Sequence, residues 1–271
     1  RPRRILTVDF GGGTLDLSAG LDAGSTAFLT TTLAPTVRFT TATVQPRIGF
    51  SAGTVLPDPV VIPANDSLRI YTGTFAPPSL TNNGRLFLEG NTVLTTVLTT
   101  GPGSLLRVRG TNTTSAANVT ITNGFTNTDT LQFTTEGAGY SVQLNVPNGT
   151  LVNASTGTIA SLAGAGGART LAAQLDNQGT VSLPYDLTLA QASAVHLNSG
   201  TITTTGTADF ALVQSGTTPS FTNTGTITLA AGRTMSVSAG LLDLSAGLLA
   251  GYTSYLTTTG APTVRFSPST V

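Results

Sequence analysis

Residues 221–229 read FTNTGTITL: an apolar residue, then Asn, Gly, Thr and an alternating apolar pair. The phrase returns as LTNNGRLFL from Leu80, FTNTDTLQF from Phe125, LVNASTGTIASL from Leu151, LDNQGTVSL from Leu175 and LNSGTITT from Leu197. From Leu80 to Phe221 the starts are separated by 45, 26, 24, 22 and 24 residues, and GSLLRVRG from Gly103 fills the double-length first gap. A repeat of about 22 to 26 residues holds three short strands and their turns at roughly 3.3 Å per residue. The apolar alternation has period two, as in ITLAAGRTMSV from Ile227, which excludes helical repeats. Propeller blades need about 40 residues and carry signatures absent here. The pattern predicts an all-β protein: a parallel β-helix, or β-solenoid, with coils of about 22 to 26 residues around a continuous core.

Asn82, Asn127, Asn177 and Asn223 each stand two residues before Gly84, Asp129, Gly179 and Gly225. A sharp corner, often passing through positive φ, is best tolerated by Gly and Asn. In stacked coils these Asn amides fall above one another and hydrogen-bond as a ladder. These residues read as structural corners rather than ligand contacts.

A longer repeat frames the short one. Residues 14–44 (TLDLSAGLDAGSTAFLTTTLAPTVRFTTATV) align with residues 241–271 (LLDLSAGLLAGYTSYLTTTGAPTVRFSPSTV) without a gap, at an offset of 227, with 22 of 31 positions identical. The expected organisation is an N-terminal β segment over residues 1–54, solenoid coils over 55–240, and the start of a second copy of the long repeat at 241–271. Prolines 46, 57, 59, 63, 77 and 78 mark loops, coil corners or a boundary. The segments carrying Leu15, Val37 and Phe39, and Leu242, Val264 and Phe266, are the candidate assembly segments.

Charged residues make up 9% of the 271 residues, and twelve Arg balance twelve acids with no Lys. The lack of a basic stripe argues against nucleic acid as a partner. There is no Cys, hence no disulfide framework or thiolate metal site. No stretch approaches the roughly 20 apolar residues of a membrane-spanning helix, so membrane insertion is not expected.

Strings such as FTNTGTITLAAGRTMSVSAGLLDLSAG from Phe221 resemble the passenger regions of bacterial autotransporter and filamentous-haemagglutinin-type surface proteins. The resemblance covers roughly residues 55–250. It implies a right-handed parallel β-helix, or β-solenoid, with export to the cell surface and a role in adhesion, biofilm or envelope structure.

ILTVDFGGGTLDLSAG from Ile5 resembles the phosphate-binding hairpin of actin-like ATPases. Carried over, Asp9, Gly11, Gly12, Gly13 and Thr14 would contact nucleotide. The second copy retains Leu242, Asp243, Leu244 and Ser245 but has Ser236, Ser238 and Ala239 in place of Asp9, Gly11 and Gly12. What persists is the strand alternation, and a glycine motif is only as good as its context. No cofactor is expected.

Catalytic signals are sparse. His196, the single His, reads as a surface or coil-edge residue without an arranged partner. Sugar hydrolysis needs two opposed carboxylates; Asp176 and Asp209 are the candidate pair for stacking to bring together. The Thr runs at 30–32 and 203–205 lack the regular Thr-x-Thr rank of an ice-binding face. The expected function is therefore non-catalytic: a structural extracellular or cell-surface fibre or adhesin protein whose partner is a further copy of itself. The alternatives are an adhesin that binds host or matrix glycans, or a polysaccharide-active β-helix enzyme.

Overall fold

The computed structural model describes residues 5–9, 12–19, 21, 27–40 and 46–266. Among these residues there are 29 strands and no helix. Every ladder between strands is parallel, and the chain forms a β-solenoid of about 11 turns. A typical coil has three faces. Thr180–Leu183, Leu187–Ala192 and Val195–Asn198 stack on Thr201–Thr204, Phe210–Ser215 and Ser220–Asn223 of the next coil. Those stack in turn on Thr226–Leu229, Thr234–Ser238 and Leu241–Leu244.

The period-two pattern explains why the chain coils this way. Val181, Leu183, Ile202, Ile227 and Leu229 point inward and are buried, while Thr180, Ser182, Thr201, Thr203, Thr226 and Thr228 alternate with them on the outer side. Each fully buried aliphatic side chain contributes about 1.5–3 kcal/mol. Strand hydrogen bonds run between coils, so a coil is completed only by its neighbours. Some strands cross a corner: Ser67–Phe75 and Val142–Asn153 each serve two faces, with register shifts at Ile70/Thr72 and Val146/Thr150. Phe28–Thr32, Arg47–Gly49, Ser67–Phe75 and Arg85–Leu94 pair in succession, carrying the ladder unbroken across position 54/55.

The corner glycines are small for a different reason from the one expected. Gly84, Gly179 and Gly225 do not adopt positive φ. A Cβ on them would lie 2.2, 2.2 and 2.1 Å from the carbonyl oxygens of Pro63, Ala154 and Gly200. These corners are stacked so closely that only glycine lets the backbones pass.

Candidate functional surfaces

The Asn corner is a continuous amide ladder. Asn127 Nδ2 donates to Asn153 Oδ1 (2.8 Å), Asn153 to Asn177 (2.7 Å), Asn177 to Asn198 (2.6 Å) and Asn198 to Asn223 (2.6 Å). The rungs are 26, 24, 21 and 25 residues apart. Asn223 ends the run by donating to the Gly247 carbonyl at 2.8 Å. All five amides are buried, where an unmade hydrogen bond costs about 1–3 kcal/mol. Asn153 and Asn198 were not among the expected rungs. Asn82 stands apart, because its ladder neighbour is Thr100. Thr100 Oγ1 instead donates to the Thr126 carbonyl and accepts the Thr128 N–H.

The ladder also decides where His196 sits. With Asn198 turned inward, the alternation of a strand turns His196 inward too and leaves Val195 and Leu197 exposed. His196 is therefore 1% exposed, not a surface or coil-edge residue. Its Nδ1 accepts the Leu175 N–H at 3.1 Å, and its ring lies 6.3 Å from that of Phe221. Burial pushes its pKa down to about 4, holding the ring neutral.

Asp176 and Asp209 are not brought together. Asp176 is the last but one residue of the strand Arg169–Asn177, on the Asn-ladder face, and accepts from Gln178. Asp209 precedes a strand on another face, where its carboxylate accepts the Thr234 N–H, while its own N–H donates to Asp186. Both Asp186 and Asp209 thus tie one coil to the next. Among the described residues no three His, Asp or Glu side chains converge as metal ligands.

The Gly-rich N-terminal motif does not form a hairpin. Ile5–Asp9 pairs in parallel with Phe28–Thr32, and Thr14–Leu17 with Thr36–Phe39. The two strands flanking the glycines are thus successive solenoid strands, which removes the geometry a phosphate hairpin needs. Gly11 lies outside the described residues.

Threonines are more ordered than the sequence suggested. Thr130, Thr158, Thr180, Thr201 and Thr226 form one outward column in register. The column two residues along holds Gln132, Ala160, Ser182, Thr203 and Thr228, so Thr-x-Thr occurs on only the last two of these coils.

Charge collects at one place. Glu89 is fully buried and accepts from Arg47 Nε (2.8 Å) and from Arg109 Nε and Nη2 (2.8 and 2.6 Å). Arg109 Nη1 also reaches Glu136 at 2.7 Å. This chain of ions braces several successive coils. Beside it runs an outward column of Phe28, Arg47, Arg69, Phe87, Arg107 and Gln132, in register. Burial, and secondarily Arg109, lowers the pKa of both Arg69 and Arg107 below the usual guanidinium value. Arg169 is a separate case: it is fully buried and its guanidinium donates to the carbonyls of Ala163 (2.9 Å), Gly166 (2.9 Å) and Gly167 (2.8 Å). It pins a glycine-rich loop to the solenoid wall.

The matched ends adopt the same local structure. Leu15 pairs with Val37 and Leu17 with Phe39; Leu242 pairs with Val264 and Leu244 with Phe266. Their surroundings differ. Val37 is buried and Phe39 partly so, whereas Val264 is only partly buried and Phe266 is exposed. An open apolar cavity of about 780 Å³ lies at this end, lined by Ile227, Leu248, Leu249, Leu256 and Phe266 among others. Comparison with family models, curated proteins and solved structures gave no match, so these surfaces are read from their own geometry.

Proposed function

We propose that this chain is a non-catalytic structural protein of the cell surface or extracellular space, a β-solenoid whose units continue axially into a fibre or sheath. Such a role is that of the surface proteins its repeats resemble. The observation that carries the reading is the contrast between two near-identical coils. The N-terminal copy lies under further coils, whereas among the described residues the C-terminal copy borders an open apolar cavity. A strand edge and an apolar face of this kind are completed by another coil. Stacking the unlike ends of two copies is a heterologous contact, which propagates rather than closes.

The test is assembly. Sedimentation of the 271-residue chain across a wide concentration range should show growth, and electron micrographs should show rods joined end to end. Leu249→Lys, at an exposed residue lining the end cavity, should abolish the growth. Val213→Lys, at an exposed residue on the side of the solenoid, should not. Single-length monomeric rods at every concentration would overturn assembly by stacking.

A further inference from the structure

We propose, on the basis of the axial continuation above, that the C-terminal copy docks onto a second copy of this chain by strand exchange. Its strands Tyr255–Thr259 and Thr263–Phe266 take the place against residues 46–75 that Phe28–Thr32 and Thr36–Phe39 hold in that second copy.

The N-terminal copy shows how this sequence is covered. Phe28–Thr32 is followed in the ladder by Arg47–Gly49 and then by Ser67–Phe75. The Phe28 ring lies 5.8 Å from the Arg47 guanidinium carbon and meets the Tyr71 ring edge-on at 5.1 Å. Thr30 Oγ1 and the Tyr71 hydroxyl share a hydrogen bond of 2.7 Å, and Thr31 Oγ1 accepts the Ser51 N–H at 2.9 Å. Val55 donates its N–H to the Pro35 carbonyl at 2.9 Å, and its carbonyl accepts the Val37 N–H at 2.8 Å. The Phe39 ring lies 6.4 Å from that of Phe75.

The C-terminal copy carries the same groups uncovered. Thr257, Thr258, Pro262, Val264 and Phe266 are the identical counterparts of Thr30, Thr31, Pro35, Val37 and Phe39, and Tyr255 stands for Phe28. Leu242 opposite Val264 repeats the register of Leu15 opposite Val37. Yet Tyr255, Thr257, Thr258 and Phe266 are exposed, whereas Phe28 and Thr31 are buried. Among the described residues Tyr255–Thr259 pairs only with Thr234–Ser238.

Plain end-to-end stacking supplies a poorer cover. It lays Ile5–Asp9 over Tyr255–Thr259 and Thr14–Leu17 over Thr263–Phe266, and those strands bring none of the groups that Tyr71, Ser51 and Phe75 provide. Exchange restores each contact. The contacts it breaks in the second copy are of the same kind as those it forms, so exchanging near-identical elements costs little. One difference gives the exchange a direction. Leu33 is held at φ 54° in the N-terminal copy, where a non-glycine residue is strained, while its counterpart Gly260 takes φ 63° freely. Releasing Leu33 and docking Gly260 favours the exchanged form.

The chain has no Cys, so introduced thiols report the contact. Thr36 and Val55 face each other in a parallel bridge, about 4.8 Å apart and within disulfide reach. Thr36→Cys with Val55→Cys in one chain should therefore close internally, as the positive control. Chains with Thr263→Cys mixed with chains with Val55→Cys should oxidise to a cross-linked dimer, and either alone should give only background. Leu33→Gly, which removes the strain from the N-terminal copy, should weaken association severalfold in sedimentation, whereas plain stacking would leave it unchanged. Cross-linking of Thr263→Cys to Thr14→Cys in place of Val55→Cys, or association indifferent to Leu33→Gly, would overturn exchange and leave axial assembly standing. Monomers at every concentration would overturn both.

Discussion

Residues 14–39 and 241–266 are nearly the same sequence, yet they occupy different environments. Phe28 is 5% exposed, while its counterpart Tyr255 is 59% exposed. Leu29 is buried, and its counterpart Leu256 only partly so. The strand register is the same in both: Thr14 opposite Thr36 corresponds to Leu241 opposite Thr263. Local sequence therefore sets the coil, and the neighbouring coil sets its burial. In a solenoid the energy of a residue belongs to its place in the stack as much as to its own chemistry.

The largest test of this contrast is to make one cut twice. Leu29→Ala should cost on the order of 4 kcal/mol, the range for a fully buried leucine. Leu256→Ala should cost less than half of that, because among the described residues its strand is stacked on one side only and Leu256 is partly buried. Urea unfolding of both variants measures the difference. Equal costs would show that burial at this position does not depend on the next coil. A chain extended after Val271 by a copy of residues 45–240 should bring the cost at Leu256 up to that at Leu29.

The sequence revealed the stack but not every contact within it. The Asn corners were readable because Asn127, Asn177 and Asn223 recur at a fixed distance from Gly or Asp. Asn153 escaped because its corner is longer: four residues separate it from Thr158, against two between Asn177 and Thr180. The Arg–Glu brace was hidden for a related reason. Its contacts join residues 42, 20 and 27 apart, spacings that only the register shifts and corner-crossing strands determine. His196 was misplaced because Val195 and Leu197 look like the inward pair. The buried amide of Asn198 outweighs them, since an unpaired amide in the core costs more than two exposed aliphatics.

That buried His gives the next test, which sets a coil covered on both sides against the C-terminal copy. His196 shares an inward column with Leu242 and Val264 of the C-terminal copy. The folded-state pKa of about 4 lies below the ordinary 6.5. The unfolded chain therefore takes up the proton first as pH falls. Stability from a neutral His196 is fully present above pH 6.5 and is lost as pH falls towards 4. The loss amounts to about 3 kcal/mol at 1.36 kcal/mol per pH unit. His196→Leu should flatten this part of the stability–pH curve, while Val264→Leu should leave it intact. Identical curves for the native chain and His196→Leu would refute the burial account.

A smaller effect is expected at the matched corner. Leu33 and Ala34 both adopt φ 54°, and their counterparts Gly260 and Ala261 adopt 63° and 53°. The corner is left-handed in both copies, but one copy places Leu where the other has Gly. A non-glycine residue in this region costs roughly 1–2 kcal/mol, and the exposed Leu33 side chain regains little by packing. Leu33→Gly should therefore stabilise the chain by about 1 kcal/mol, less the entropy that glycine loses on folding. Gly260→Leu should loosen its own coil, seen as faster amide exchange over residues 255–266. Destabilisation by Leu33→Gly would show that the side chain matters more to this corner than its backbone angle.

The smallest effect should be the same in both copies, which makes it the control for the others. Asp16 accepts the Ser18 N–H (2.9 Å) and hydroxyl (2.6 Å), and Asp243 accepts the Ser245 N–H (3.0 Å) and hydroxyl. These bonds, and secondarily Arg38 and Arg265, hold both carboxyls below the ordinary 3.8. A lowered folded pKa gives stability that is present above the unfolded value and is lost as pH falls through the folded one. Asp16→Asn and Asp243→Asn should therefore each weaken the chain slightly at neutral pH, and the difference from the native chain should vanish in strong acid. Because the acceptor and its donors lie within three residues, an added or missing coil has little to act on. NMR titration should find the two carboxyls depressed alike, and a clear difference between them would mean that stacking reaches even this local turn.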